Sequence, residues 1–376
     1  MSKTNRKNNE IIYTICPVLV ASHVAVAKGW LDEEIKKAGG SLKYLRALPC
    51  EDWLAHFTHT RSDFFRDGGN IPAIWTRSEG RKTKLIGLTF TTDGGQIVTR
   101  TDSGINRISD LKGKKIGLFD RRKTDRVDFW RATAERGIEV ALELNGLSRK
   151  DVKIVNLVQE GPDYASTQPV RNPAEFWNNR SVNNLTSSPA NRLEIDALLS
   201  GEVDAIYASN GRSQGYQATG EVKAIEDLGR YPDWTAHIAN SPYTLTVSTE
   251  LAEEQPQIVV GYLRAAIRAG KWIKQNPEKA AELFAPVIPY WSGQQGLAQE
   301  IAKYDFVPNL SPQNLKGIEI KKKWLIDHGY QKNDFDVNAW ADSSFLDQAL
   351  GSKKAVKTPR VVKARSGSAR KVSLLS

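Results

Sequence analysis

The sequence predicts an α/β protein of two lobes with a cleft between them. Short apolar runs alternate with longer amphipathic stretches through most of the chain, which is the pattern of an α/β protein. The 376 residues, 40% hydrophobic and 26% charged, exceed what a single core commonly holds, so we expect two lobes. Two glycine-containing segments, residues 108–117 and 198–205, each place a helical turn just before a strand.

The individual elements follow from the spacing of apolar residues. Seven apolar runs of strand length are predicted as strands: residues 11–15, 42–47, 84–89, 115–119, 152–158, 205–208 and 243–247. Five segments with helical spacing are predicted as helices: residues 17–28, 71–78, 124–144, 193–200 and 251–274. The last helix carries an apolar stripe on one face, and we interpret that stripe as core.

The order of these elements suggests where the lobes begin and end. Lobe one is predicted to comprise residues 1–102 and 241–351, and lobe two residues 103–240. Residues 352–376 are basic without helical periodicity, so we predict a disordered tail. The polar segment at residues 164–191 is predicted as a long loop, either a lid over the cleft or disordered.

The formal charge of +10 suggests nucleic acid as a partner, because neutralising phosphates drives such binding. Much of the excess lies in the basic tail, however, so we favour a solvated tail and expect no nucleic-acid partner. No apolar run approaches the length of a membrane span, and the basic first ten residues precede no signal-peptide core. We therefore expect a cytoplasmic protein without a membrane partner.

Cysteine and histidine usage limits the chemistry. Two cysteines are too few for a disulfide framework or a structural zinc site, and five scattered histidines show no metal-ligand spacing. We therefore predict no metal. Cys50 precedes an acidic pair and is interpreted as an ordinary free thiol.

The most informative motif is Tyr13-Thr-Ile-Cys16-Pro17. A strand ending in Cys-Pro presents a thiol at the strand's carboxyl edge, and Pro17 suits the first position of a following helix. The helix N-terminus would favour a thiolate, so we expect Cys16 to be alkylated faster than Cys50. Taken alone, a cysteine at a strand end is more often a packed residue than a reactive one.

A second motif runs from His56 to residue 72. His56 can exchange a proton with the thiol, although a lone histidine is more often structural. Arg66 can form a fork of hydrogen bonds to a small oxyanion, or be a surface cation. Gly68 and Gly69 let backbone N–H groups approach the same anion, and Asn70 can cap the next helix.

Together these motifs resemble the hydroxyphenyl-benzenesulfinate (hydroxybiphenyl sulfinate) desulfinase family, on a two-lobed type-2 periplasmic-binding-protein-like fold. The resemblance runs nearly end to end. It rests on these matches: Cys16-Pro17-Val18, His56-Phe57-Thr58, Arg66 to Pro72, Gly201-Glu-Val-Asp204-Ala-Ile-Tyr207, Gln217-Ala-Thr-Gly220, Trp340-Ala and Phe345-Leu346.

The resemblance implies an enzyme that cleaves the C–S bond of an aromatic sulfinate and releases sulfite, without a cofactor. Carried over by position, Cys16 and His56 become catalytic, and Arg66 and Gly69, with Gly68, bind the substrate. His56 is preferred to His59 because the family has a tyrosine at the latter position. Two routes stay open: the thiol attacks the sulfinate sulfur, or it protonates the ring carbon so that sulfur dioxide leaves.

One departure concerns the walls of the cleft. After Tyr207 the family has an aromatic-rich stretch with two tryptophans, where this chain has residues 208–213 without an aromatic ring. Aromatic residues elsewhere are candidates to replace those walls, although each taken alone is more typical of the core: Trp130, Tyr207, Trp234 and Tyr243. The alternative function is a non-catalytic protein that binds an organic anion such as a sulfonate or sulfinate. We expect a monomer in either case.

Overall fold

The computed structural model describes residues 10–121, 125–160, 168–178, 189–288 and 294–351. Within these ranges ten strands form two five-stranded sheets. The strands are β1 (Glu10–Ile15), β2 (Ser41–Tyr44), β3 (Phe64–Gly68), β4 (Thr83–Thr89), β5 (Gln96–Arg100), β6 (Lys115–Arg121), β7 (Lys153–Gln159), β8 (Ala205–Ala208), β9 (Val222–Asp227) and β10 (Tyr243–Ser248).

The same ranges contain fifteen α-helices and six short 3₁₀ helices. The α-helices are α1 (Ala21–Ala27), α2 (Trp30–Lys37), α3 (Ala55–Thr58), α4 (Asn70–Ser78), α5 (Phe129–Leu144), α6 (Pro173–Asn178), α7 (Pro189–Leu199), α8 (Asn210–Gln217), α9 (Thr249–Glu254), α10 (Pro256–Gln275), α11 (Pro277–Phe284), α12 (Gln294–Ile301), α13 (Pro312–Asp327), α14 (Val337–Trp340) and α15 (Ser344–Ala349). The 3₁₀ helices are Leu45–Ala47, Cys50–Leu54, Ile108–Leu111, Arg149–Asp151, Leu228–Arg230 and Trp234–His237.

The first sheet has the strand order β2-β1-β3-β10-β4. Strand β1 pairs in parallel with β2 and β3, and β10 pairs antiparallel with β3 and β4. Five of the six residues of β1 are buried, as expected of a parallel strand covered on both faces. Apolar residues of α1, α2, α10 and α11 form one core cluster with this sheet.

The second sheet has the order β7-β6-β8-β5-β9. Strand β6 is parallel to β7 and β8, whereas β5 is antiparallel to β8 and β9. Ile97 packs in a cluster with α5 and the next residue, Val98, packs in another with α7 and α8. Successive side chains of a strand point to opposite faces, so this sheet carries helices on both sides.

The chain passes between the sheets twice, and this crossing builds the cavity described below. Strand β5 follows β4 but joins the second sheet, and β10 follows β9 but returns to lie between β3 and β4. The predicted α/β architecture is confirmed. Strand β5 lies in the second sheet although it precedes the lobe boundary predicted at residue 102; the lobe boundaries themselves stay a prediction.

The predicted elements are confirmed with corrections that have local causes. The strand predicted at 42–47 ends at Tyr44, after which the chain forms a 3₁₀ turn. The helix predicted from residue 17 begins at Ala21, because Val18 N–H donates to Cys16 O at 2.8 Å and closes a turn. The long helix predicted at 251–274 is two helices, since Pro256 starts α10.

Other predictions concern segments that the structure describes only in part or not at all. In the predicted loop at 164–191, residues 168–178 are described and include helix α6, and α7 begins at Pro189. The predicted tail, residues 352–376, lies outside the described residues. Among the described helices, none combines the length and apolar character needed to cross a membrane.

Candidate functional site

The site lies where β1 and β3 end side by side. Parallel pairing sets Ile15 opposite Asp67, so Cys16 follows β1 next to the glycines that end β3. Cys16 N–H donates to Asp67 O at 2.9 Å and fixes the thiol's position at this edge. In α/β sheets the carboxyl ends of parallel strands are the usual place for a ligand site.

Glycine at position 68 is required by packing against Cys16. A Cβ atom on Gly68 would lie 2.2 Å from Cys16 Sγ, and Gly68 has a φ of +154°. A Cβ on the next residue, Gly69, would lie 2.1 Å from Asn240 Oδ1. The two glycines therefore make room for the thiol and for the Asn240 amide, while the substrate-binding roles predicted for them stay predictions.

His56 is held between Cys16 and a residue that sequence reasoning missed. His56 Nε2 lies 3.1 Å from Cys16 Sγ, and Nδ1 lies 2.8 Å from Thr14 Oγ1. Thr14 lies on β1, two residues before Cys16. Because alternate residues of a strand face the same side, this spacing was a signal from which Thr14 could have been predicted to lie beside the thiol. Burial, and then the charges of Arg66 and Arg46, hold the pKa of His56 well below its ordinary value. The imidazole is therefore neutral near neutral pH.

Arg66 is almost fully buried, and its guanidinium is largely committed to the protein. Its Nε donates to His56 O at 2.8 Å and its Nη1 donates to Gly69 O at 2.9 Å. Its Nη2 lies 3.5 Å from Cys16 Sγ. The two-pronged fork predicted from sequence is therefore mostly used to fix the neighbouring backbone, and Nη2 is the nitrogen nearest the thiol.

The thiol itself is protonated near neutral pH, contrary to the thiolate expected from sequence. Burial raises the pKa of Cys16 above its ordinary value, although the charge of Arg66 and the Gly69 N–H oppose this shift. The expectation failed because α1 starts at Ala21, four residues too late to act on the thiol as a helix N-terminus. Cys50, by contrast, is exposed.

Two further buried histidines lie near Cys16 in sequence or space. His23 donates from Nε2 to Cys16 O at 2.7 Å, and burial lowers the pKa of His23 to about 4. His59 has a φ of +47° and packs its ring on Phe64. It does not line the cavity that contains Cys16. Of the two histidines weighed from sequence, His56 is thus the one that contacts the thiol.

A cavity of about 250 Å³ opens over the thiol, and residues from both sheets line it. Trp130, Tyr207 and Tyr243, three of the four aromatic residues considered from sequence, are among these lining residues. Trp234 is not among them and packs edge-on against Phe90.

Aromatic residues that sequence reasoning missed complete these walls. Phe57 and Phe129 line the cavity and stack with ring centroids 5.4 Å apart. Helix α6 adds Phe176 and Trp177. The rings absent from residues 208–213 are therefore replaced from β6, α5 and α6, so the cavity suits a flat apolar ligand with one anionic group.

Among the described residues, no three histidine, cysteine, aspartate or glutamate side chains group as a metal ion would require. The fold and the cavity thus define a two-lobed α/β protein in which a thiol, an imidazole and a guanidinium are in contact inside one cavity.

Comparison with known proteins extends this description. Residues 24–166 match the family described as NMT1/THI5 like. The chain is 27% identical over 362 residues to the 2'-hydroxybiphenyl-2-sulfinate desulfinase of Rhodococcus erythropolis, covering 90% of this chain and 93% of that protein. The resemblance predicted from the sequence motifs is confirmed over nearly the whole chain.

Solved structures confirm the fold. A cysteine-to-serine mutant of the desulfinase DSZB, in complex with biphenyl-2-sulfinic acid, superposes with a TM-score of 0.71 at 24% identity, covering 91% of this chain and 99% of that one. The periplasmic aliphatic sulphonate binding protein SsuA of Escherichia coli superposes with a TM-score of 0.59 at 13% identity, covering 88% and 91%. The predicted type-2 periplasmic-binding-protein-like fold is therefore confirmed.

Proposed function

We propose that this protein is a desulfinase that cleaves the C–S bond of an aromatic sulfinate and releases sulfite, without a metal or cofactor. The observation that carries this proposal is the contact of Cys16 Sγ with His56 Nε2 and Arg66 Nη2, at 3.1 and 3.5 Å, inside an aromatic-lined cavity. The similarity to desulfinases over 90% of the chain supports it.

In this proposal the sulfinate binds over the thiol. Arg66 Nη2 and the Gly69 N–H are the donors for its two oxygens, since both point toward Cys16 Sγ. The aryl ring lies among aromatic side chains such as Phe57, Phe129 and Trp130. A buried cation favours an anionic group strongly, because little water competes with it.

The protonated thiol favours one of the two routes that the sequence left open. The Cys16 S–H transfers its proton to the ring carbon that bears sulfur; the C–S bond breaks, its electron pair stays with the ring, and sulfur dioxide leaves. Water then converts sulfur dioxide to hydrogen sulfite and a proton, which restores the thiol. Direct attack on sulfur would first require a thiolate, which burial of Cys16 disfavours.

His56 and Arg66 act on the thiolate that exists after proton transfer. Once sulfur dioxide has left, Arg66 Nη2 and the Gly69 N–H donate to the Cys16 thiolate, and neutral His56 donates one hydrogen bond to it from Nε2. Thr14 Oγ1 fixes the orientation of the ring through Nδ1. Monomeric state and cytoplasmic location stay predictions.

The experiment is an assay of sulfite and arene release from benzenesulfinate, biphenyl-2-sulfinate and an alkyl sulfinate. We expect release from the aryl sulfinates and a loss of at least about a thousandfold in kcat for Cys16→Ser, with sulfinate binding retained. Equal turnover by Cys16→Ser would contradict the proposal.

The second candidate is a non-catalytic protein that binds an organic anion. The fold shared with a periplasmic sulphonate binding protein favours it. Binding alone does not require a thiol in contact with an imidazole, so we rank it second. Tight binding of arylsulfonates and sulfinates by the wild-type protein, with no sulfite released from any of the three sulfinates, would establish this candidate instead.

A further inference from the structure

The cavity that contains Cys16 has a second polar region, formed by two carboxylates and tyrosines. Asp93, Glu300, Tyr207, Tyr243 and Tyr304 all line it. They come from four different parts of the chain: the segment after β4, strands β8 and β10, and helix α12 with the residues after it. We call these five residues the acidic pocket.

Backbone hydrogen bonds fix the Asp93 side chain, and its carboxylate lies close to two other carboxylates. The Asn210 N–H donates to Asp93 Oδ1 at 3.1 Å. Burial raises the pKa of Asp93 to about 6, and the neighbouring carboxylates of Glu300 and Asp227 add to this shift. The backbone N–H groups of Asn210 and Gly95 offset part of the cost of burying this carboxylate beside two others, and a cation would offset more.

Glu300 is fixed by residues on its own helical turn. Tyr304 OH donates to Glu300 Oε1, and Thr92 Oγ1 donates to Tyr304 OH at 3.5 Å. Lys303 Nζ donates to Glu300 Oε2 at 2.7 Å, but the Lys303 side chain is 60% exposed, so its charge is largely screened by water. Glu300 itself is 5% exposed.

The same wall of the cavity contains a buried hydroxyl group, that of Thr91, without a hydrogen bond of normal geometry to the described residues. Thr91 is fully buried and lines the cavity beside Tyr243, and its Oγ1 makes no hydrogen bond of normal geometry with the described residues. An unpartnered buried hydroxyl costs free energy that a ligand group can recover. This is a second sign, independent of the carboxylates, that the acidic pocket holds part of a ligand.

We propose that the acidic pocket binds a protonated amino group, and that the substrate is therefore an aromatic sulfinate carrying an ammonium group. Two carboxylates supply ion pairing, and the rings of Tyr243 and Tyr304 supply faces on which a cation is favoured. Thr91 Oγ1 accepts one of its N–H groups. This inference rests on the proposed desulfinase function and names its substrate class.

Arg66 and the acidic pocket complement the two charges of such a zwitterion, and four further arginines also line the cavity: Arg46, Arg121, Arg126 and Arg212. The sulfinate lies at Arg66 and the ammonium at Asp93, and Tyr243 lies between, close enough to both Cys16 and Asp93 for their charges to act on it. Because Lys303 already pairs with Glu300, a substrate with only the sulfinate would leave Asp93 as the carboxylate of the acidic pocket held by backbone donors alone. The region thus selects among sulfinates without taking part in C–S cleavage.

The test compares two substrates that differ only in the cation. We expect kcat/KM for sulfite release from an (aminomethyl)benzenesulfinate to exceed that from the matching methylbenzenesulfinate by at least about tenfold, using both the meta and para isomers. In Asp93→Asn this ratio should fall to within about twofold of one, while turnover of the methyl compound persists. An unchanged ratio in Asp93→Asn would overturn the inference.

A matched control distinguishes recognition by the acidic pocket from a change in the electrostatic field of the whole protein. Asp227 is also a carboxylate near Asp93, but it does not line the cavity and accepts from Gln96 Nε2 and Gly229 N–H. Asp227→Asn removes the same charge and should keep the substrate preference. Loss of the preference in this control to the same degree as in Asp93→Asn would contradict recognition at the pocket.

A binding measurement keeps this inference separate from the proposed function. Calorimetry with an (aminomethyl)benzenesulfonate and a methylbenzenesulfonate, neither of which can lose sulfite by desulfination, should show the same preference of about tenfold and its loss in Asp93→Asn. Should Asp93→Asn fail to fold, Glu300→Gln replaces it. Preference in binding without sulfite release would remove the desulfinase proposal and keep the ammonium site; sulfite release without preference would do the reverse.

Discussion

The protonation of one sulfur atom determines what this site can do. Cys16 Sγ lies near the Arg66 guanidinium and the Gly69 N–H, which alone would favour a thiolate, yet burial outweighs them and raises the pKa of Cys16. The donors are therefore arranged to stabilise a thiolate once it forms. A site of this kind is better suited to give up a proton than to begin as an ionised nucleophile.

The pH dependence follows from the sign of this shift. The active thiol is present below the raised pKa of Cys16 and is lost as pH rises through that pKa, so we expect kcat to hold near neutral pH and fall only in alkaline solution. A nucleophilic thiolate would give the opposite slope. The pH profile of kcat on benzenesulfinate decides between them.

Thiol labelling provides a second readout at the same residue. Because only the thiolate reacts with iodoacetamide, the half-buried, high-pKa Cys16 should be modified more slowly near neutral pH than the exposed Cys50. This reverses the order expected from sequence. Peptide mapping after partial alkylation measures it, and faster labelling of Cys16 would mean that the thiol is ionised.

Thr14 offers a test of how His56 is positioned. Thr14→Val removes the hydroxyl at 2.8 Å from His56 Nδ1 with almost no change of shape, and it leaves a buried nitrogen unpaired. We expect kcat to fall about tenfold with little change in KM, and stability to fall by about 1–3 kcal/mol. Thr14→Ser should restore most of kcat; failure of this rescue would assign Thr14 to packing.

At the scale of elements, strand β3 shows why the site was easier to predict than its scaffold. Phe64-Phe-Arg-Asp-Gly68 was interpreted as a functional motif and missed as a strand, because two charged residues interrupt its apolar pattern. Those charges are buried with partners. Arg66 donates to two backbone carbonyls, and Ser22 Oγ donates to Asp67 at 2.6 Å. Ser22 and His56 lie 45 and 10 residues from their partners, and no local pattern reveals such pairings.

Short strands with polar neighbours were missed for a related reason. Strands β5 and β9 pair with each other at one side of the second sheet and mix apolar with charged residues. The strands that were predicted correctly, such as β1 and β8, are continuous apolar runs buried on both faces. Helix starts were predicted worst, because turn geometry at Cys16 to Val20 depends on hydrogen bonds rather than on hydrophobic period.

The turn at the end of β3 yields a prediction with a matched control. Gly68→Ala would place a Cβ within 2.2 Å of Cys16 Sγ, so we expect activity to fall at least about a hundredfold and the protein to lose stability. Gly80→Ala also introduces a side chain at positive φ, but with nothing within 4 Å. It should cost only about 1 kcal/mol and leave kcat intact. Equal effects of the two would show that backbone strain, not contact with the thiol, matters at Gly68.

At the scale of the whole molecule, the two halves of the cavity differ in how well their residues can be predicted from the sequence. The half that carries Cys16, His56 and Arg66 was predicted by compact motifs, whereas the facing half was predicted only as a fold. Its rings come from β6 and α5, and nothing in the local sequence distinguishes a ring in the cavity from one in the core. Trp130 and Trp234 illustrate this, since both were candidates and only Trp130 lines the cavity.

These two tryptophans allow a test of whether both halves of the cavity bind the ligand, by measuring how far the ligand stabilises each variant. A ligand that binds the folded state alone stabilises it by about 2.7 kcal/mol at a hundred times its Kd, so biphenyl-2-sulfonate should raise the Tm of the wild-type protein. Trp130→Leu removes a wall and should weaken binding about tenfold, which lowers the shift at fixed ligand. Trp234→Leu, a change of the same size outside the cavity, should keep the full ligand-induced shift, measured from the Tm of its own ligand-free form. Equal ligand-induced shifts in the two variants, measured by differential scanning fluorimetry over a range of concentrations, would mean that the half carrying Trp130 takes no part in binding.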